Sequence, residues 1–129
     1  MKKAKILIVR SLFNDTTGLY KSATEALEDN KVKFKYIFVK GAFEIPVTIS
    51  KNINKYDAFL ALGCVIKGQT PHFDFISQAA TNGIMELSIS SKKPIGNGII
   101  TCLNMSQAKA RKKKGAEAAE AVISVLSQK

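Results

Sequence analysis

The chain has 129 residues, 46% of them hydrophobic, and carries a net charge of +10, which suits one domain, 1–129, around a single core. Its longest apolar stretch, Ala58 to Ile66, is about half of what a bilayer span requires. The apolar run between Lys5 and Arg10 is too short for a signal peptide's core, so the chain reads as cytoplasmic, with no membrane partner.

The first element in chain order is Ile6-Leu7-Ile8-Val9, within Lys5 to Arg10, a continuous apolar run of the kind buried in a parallel sheet. Asn14-Asp15-Thr16-Thr17 supplies N-cap candidates, and Leu19, Ala23, Ala26 and Leu27 follow at helical spacing until Asp29-Asn30. Lys33 to Val39 is aromatic and β-branched and predicts a second strand. Pro46 suits the first turn of a short helix with Ile49 and Ile53 on one face. Ala58 to Ile66 is the third strand. Ile76, Ala79, Ala80, Gly83, Ile84 and Leu87 trace the stripe of a third helix, Phe73 to Ile89. Ile95 to Cys102 is the fourth strand. Ser106 opens a short helix, and Ala119, Val122, Ile123 and Leu126 form the apolar face of a last one. This β-α alternation predicts an α/β protein: a flavodoxin-like three-layer sandwich on a four-stranded parallel sheet, with right-handed crossovers. Ligands of such sheets bind beyond the carboxyl ends of the strands.

The charge calls for an anionic partner, either nucleic acid or a phosphorylated small molecule. All but two of the 20 basic residues are lysines scattered along the chain, the exceptions being Arg10 and Arg111. No nucleic-acid motif accompanies them, so nucleic acid is not expected as a partner. Cys64 and Cys102 are too few and too far apart for a zinc site or a disulfide framework, and each sits in an apolar run as a buried free thiol.

Three segments fall where a ligand would bind. Gly68-Gln69-Thr70-Pro71-His72-Phe73-Asp74 joins a strand to a helix; its glycine permits a tight turn, and the first helical amides can face an anion. It holds the only histidine, the side chain best suited to proton transfer near neutral pH, or else a solvated surface residue. In Gly41-Ala42-Phe43-Glu44-Ile45-Pro46, Glu44 either complements the helix dipole or hydrogen-bonds a polar heterocycle. Phe13 and Phe43 are either core or stacking surfaces. Arg111-Lys112-Lys113-Lys114-Gly115 is either a solvated turn or a phosphate clamp, for which the planar guanidinium is the better instrument.

Together these segments resemble the lumazine synthases. The glycine-rich segment at 41–46 and the run from Ala61 to Asp74 are similar to that family's two signature segments. Phe13-Asn14 resembles a third and Lys114-Gly115-Ala116-Glu117-Ala118-Ala119 a fourth, all in the family's order. The resemblance implies condensation of 5-amino-6-(D-ribitylamino)uracil with 3,4-dihydroxy-2-butanone 4-phosphate through an imine, releasing phosphate and water. The product is 6,7-dimethyl-8-ribityllumazine, the penultimate intermediate of riboflavin synthesis, and no metal or organic cofactor is implied.

Carried over residue by residue, Phe13 stacks on the pyrimidine, and Ala42, Phe43 and Glu44 hold the uracil and ribityl chain. Cys64, Val65 and Ile66 line the heterocycle pocket, while Gln69 and Thr70 bind the phosphate end. His72 transfers protons. Arg111 clamps the phosphate with Lys114 nearby, and Glu117 orients His72. The family also implies a homopentamer with sites shared between subunits, or twelve such rings in a sixty-subunit shell.

Three departures from the pattern stand out. Asn97 occupies a fourth-strand position, facing the neighbouring subunit's substrate, where most relatives carry an aromatic ring. The basic turn is several residues shorter than usual, which affects the register of Lys114. Lys67 and Gln69 stand where arginine and glutamate are common. The alternatives are a noncatalytic flavin- or lumazine-binding protein on the same scaffold and a nucleic-acid module driven by charge.

Overall fold

The computed structural model describes residues 4–68 and 71–128. Its elements alternate as the sequence predicts: β1 (Lys5–Ser11), α1 (Thr17–Asp29), β2 (Lys33–Val39), α2 (Ile45–Lys51), β3 (Ala58–Ile66), α3 (His72–Ser91), β4 (Ile95–Cys102), α4 (Met105–Ala110) and α5 (Lys114–Leu126). A single 3-10 turn, Ala42–Glu44, leads into α2. The four strands are all parallel in the order β2-β1-β3-β4. This is the expected α/β sandwich, and it places the point where strand order reverses between β1 and β3.

The period-two alternation of strand side chains builds two cores from one sheet. Ile6, Ile8, Leu60 and Leu62 face a layer that holds Leu19, Ala23 and Leu27 of α1 and Ala118, Ala119 and Val122 of α5. Leu7, Val9, Phe59 and Ala61 face the opposite layer, with Ile45 and Ile49 of α2 and Ala80 and Ile84 of α3. The two central strands are therefore buried on both faces, which is why they read as unbroken apolar runs. Each fully buried Leu, Ile or Phe contributes on the order of 1.5–3 kcal/mol relative to exposure.

The structure refines the sequence reading locally, and α3 runs slightly longer than the expected Phe73 to Ile89. β1 extends through Ser11, a polar residue only 1% exposed. Ile53 lies beyond α2, which stops at Lys51. There the Asn52 amide donates to the Thr48 carbonyl (2.8 Å), and the Lys93 ammonium draws in the carbonyls of Ile53 (2.6 Å) and Tyr56 (2.8 Å). Thr16 occupies the N-cap of α1, but its hydroxyl donates to the Ser11 carbonyl (3.0 Å), so capping falls to Asp15, whose carboxylate accepts from the Thr17 amide (2.8 Å). Gly68 has no positive φ; among the described residues the left-handed positions are Asn14, Lys31 and Lys92.

The α1–α5 crossing sets the position of the basic turn. Gly115 is buried there, and a Cβ on it would overlap the Leu19 carbonyl oxygen of α1. Ser22 bridges the crossing: its hydroxyl donates to the Lys112 carbonyl (2.6 Å) and accepts from the Ala116 amide (3.0 Å). The first amides of α5 receive no side-chain cap at their own N-terminus, so α1 satisfies one of these orphan donors from outside the helix.

Candidate active site

A cleft of about 750 Å³ opens at the carboxyl edge, between the ends of β1 and β3 and the start of α3. Its walls come from segments far apart in sequence. The turn after β1 gives Phe13 and Asn14, and the 3-10 turn after β2 gives Ala42, Phe43 and Glu44. The end of β3 gives Cys64, Val65 and Ile66, and the first turn of α3 gives His72. The structure thus gathers eight of the residues singled out in the sequence around one opening.

Local bonding explains these positions. The Leu12 and Phe13 amides donate to the carbonyls of Val39 and Lys40, both at 2.8 Å, so the chain keeps pairing with the β2 side after β1 ends. The Phe13 ring is 73% exposed and the Phe43 ring 57%, so neither is a core residue of this chain. Glu44 folds back so that one carboxylate oxygen accepts from the Gly41 amide (2.9 Å), while the Glu44 amide donates to the Gly41 carbonyl (3.1 Å). This reciprocal pair shapes the turn, and it presents a carboxylate and an aromatic face side by side at the cleft. Pro71 leads into α3 and places exposed His72 at the helix's first position.

Cys64 and Cys102 are both buried free thiols. Burial pushes the Cys64 thiol up to about 11, with Cys102 and Asp15 adding to the rise. It lines the cleft as a neutral, apolar surface. Alkylation of Cys64 in the folded protein should therefore be slow at neutral pH and rise with a midpoint near about 11. Modification at the rate of a free thiol at neutral pH would contradict this. The sign for stability follows. The protonated form is favoured in the folded state, so that contribution is intact below the ordinary value of 9.0 and fades as pH climbs towards about 11.

Four singled-out residues line no part of this cleft. Asn97 is exposed on edge strand β4, where its side-chain oxygen accepts from the Ile99 amide (3.1 Å). It opens instead onto a separate hollow of about 430 Å³ beside Ile89, Lys92 and Val125. Arg111 follows α4, and its guanidinium donates to the Thr101 carbonyl (2.8 Å) and lies 3.9 Å from the Cys102 sulfur. Lys114 and Glu117 pair with each other at 3.4 Å, both well exposed. Gln69 and Thr70 lie outside the described residues.

The sequence reading did not single out Phe75, Ile76 and Ala79 as cleft residues, yet all three line it. Ile76 and Ala79 belong to the helical stripe; Ile76 packs against the core on this face of the sheet and also borders the cleft. Among the described residues, no group of three or more His, Cys, Asp or Glu side chains is placed to hold a metal ion, and no helix is long and apolar enough to cross a membrane.

The family profile of 6,7-dimethyl-8-ribityllumazine synthase matches residues 3–129. The chain belongs to the 6,7-dimethyl-8-ribityllumazine synthase family. A lumazine synthase of Agrobacterium fabrum is 39% identical over 143 residues, covering 100% of this chain and 97% of its own. One from Cutibacterium acnes is 39% identical, covering 95% of this chain and 80% of its own. One from Corynebacterium kroppenstedtii is 41% identical, covering 92% and 80%. Three of the four segments that resemble the lumazine synthases thus fall on the cleft wall, at the turns after β1 and β2 and along the run from the end of β3 to the start of α3, while the fourth, 114–119, lies outside it.

Proposed function

We propose that the chain condenses 5-amino-6-(D-ribitylamino)uracil with 3,4-dihydroxy-2-butanone 4-phosphate to give 6,7-dimethyl-8-ribityllumazine, with release of phosphate and water. The observation that carries this reading is the convergence of three of the four motif segments, 13–14, 41–46 and 61–74, on one cleft at the strand-order reversal. The pyrimidine stacks on Phe13, with Ala42, Phe43 and Glu44 holding the uracil and ribityl chain. The neutral floor of Cys64, Val65 and Ile66 receives the heterocycle. The uracil's primary amine attacks the butanone carbonyl and a first water leaves as the imine forms; phosphate is eliminated and the resulting enol becomes a ketone, to which the ribitylamino nitrogen adds, closing the second ring with loss of a second water. His72 moves protons in these steps, a role that suits an imidazole near neutral pH. Gln69, Thr70, Arg111 and Lys114 take the phosphate end, and Glu117 orients His72.

The catalytic unit in this reading is a ring of five chains, in the cytoplasm, with each cleft completed by a neighbour. Two features support shared sites. Asn97 and Arg111 line no part of their own chain's cleft. In addition, α3 leaves Phe75 (67%), Met85 (58%) and Ile89 (69%) exposed, more apolar surface than a helix facing only its own sheet requires.

The direct test mixes the two substrates with purified protein and follows lumazine absorbance and phosphate release; a folded protein that forms no lumazine would refute the activity. Arg111→Ala should raise KM for the butanone phosphate by roughly thirtyfold, about 2 kcal/mol for a lost charged contact. The pyrimidine KM should change much less. Arg111→Lys should recover only part, since lysine keeps the charge and loses the fork. An equal rise for both substrates would mark Arg111 as a structural residue.

A further inference from the structure

We propose that Asn14 is a positioning residue for the cleft, a tether between the ends of β1 and β3 that fixes the direction in which Phe13 faces the pyrimidine. The proposal rests on the reading above that Phe13 stacks on that ring.

The first observation is backbone conformation. Asn14 has φ 65, in the left-handed region, as do Lys31 and Lys92. Lys92 is the C-cap of α3, and Lys31 follows the C-cap of α1, places where helices ordinarily end in this conformation. Asn14 ends no helix. It stands in the short link between β1 and α1, where a left-handed residue other than glycine calls for a local reason.

The second observation is that reason. The Asn14 side-chain amide donates to the Cys64 carbonyl at 2.9 Å, across 50 residues of sequence and from β1's exit to β3's. Because the partner is a carbonyl, the nitrogen end of the amide must face it. Phe13 itself is bound on the other side, its amide donating to the Lys40 carbonyl (2.8 Å) beyond β2. The dipeptide is therefore held to both neighbouring strand ends. With 73% of Phe13 exposed, packing within the chain does little to aim its ring, and these two hydrogen bonds set its direction. Asn14 and Cys64 both line the cleft, so the tether also fixes the spacing between the stacking ring and the floor.

Two variants separate the side-chain bond from the backbone conformation. Asn14→Gly keeps the left-handed backbone and deletes the tether. Asn14→Asp keeps the shape and places a carboxylate against the Cys64 carbonyl, an acceptor facing an acceptor. The pyrimidine KM should rise roughly fivefold to tenfold in Asn14→Gly and further in Asn14→Asp, with the butanone phosphate KM within about twofold. Hydrogen exchange of the Phe13 amide should quicken in both. An unchanged pyrimidine KM in folded Asn14→Gly would overturn the proposal, as would equal rises for both substrates. If the wild-type protein forms no lumazine, the activity reading fails by itself. Exchange at Phe13 then decides the tether: faster in Asn14→Gly supports it, and unchanged overturns it.

Discussion

Replacing Gly115 with alanine is expected to destabilise the fold by about 3 kcal/mol, the upper range for forcing extra volume into a packed crossing. Gly115 lies in the first turn of α5, where the added methyl alone would favour the helix by about 1 kcal/mol. The crossing with α1 opposes that gain and wins. A Cβ at this position would overlap the Leu19 carbonyl oxygen, with the Leu19 carbonyl carbon at 2.8 Å and the Ser22 hydroxyl at 2.7 Å. A flexible side chain could turn aside, but the backbone of α1 cannot, so the two helices must separate. Separation also breaks the Ser22 bonds to Lys112 and Ala116. Thermal and denaturant unfolding would measure the loss, and a Tm equal to or above that of the parent chain would refute the close crossing. Ser22→Ala, which deletes only the hydroxyl, should cost about 1 kcal/mol.

His72→Ala is expected to lower kcat by about 100-fold while leaving the unfolding transition in place. His72 is exposed at the first position of α3, so its removal costs little packing. A folded variant that keeps the parent kcat between about pH 6 and 8 would take His72 out of the mechanism. The same variant tests the sharing of sites. Dissociated His72→Ala and Arg111→Ala chains, reassembled together, should regain activity at interfaces that carry one intact copy of each residue. Proven mixing without recovery would assign both residues to one chain's own site.

The strands were legible because central parallel strands are buried on both faces and leave unbroken apolar runs. The bounds of β2, β3 and β4 match the sequence reading, while β1 gained Ser11, whose polarity hides its burial. Ile53 was misplaced because the pull of Lys93 on its carbonyl comes from 40 residues away. Most of the cleft was legible because its residues sit at strand ends, where topology alone brings them together. The roles of Gly115 and Asn14 were not. One answers to a helix that crosses from the other end of the fold and the other to a carbonyl 50 residues distant, and neither leaves a local periodicity. Phe13 and Phe43 could have belonged to the core until their exposure was known.

The Ser22 joint has a bearing on the order of assembly. It links α1 to the turn before α5 across 90 residues of chain, and contacts of such long range form late, because closing the loop comes before the reward. During synthesis α1 must wait, with part of its apolar face uncovered, until α5 has been made. The turn that carries Arg111 gains its anchor only then. That turn is accordingly the last of these segments to be fixed, and a chain stalled before α5 would have the cleft residues from Phe13 to His72 already made while the turn after α4 still lacked its joint to α1.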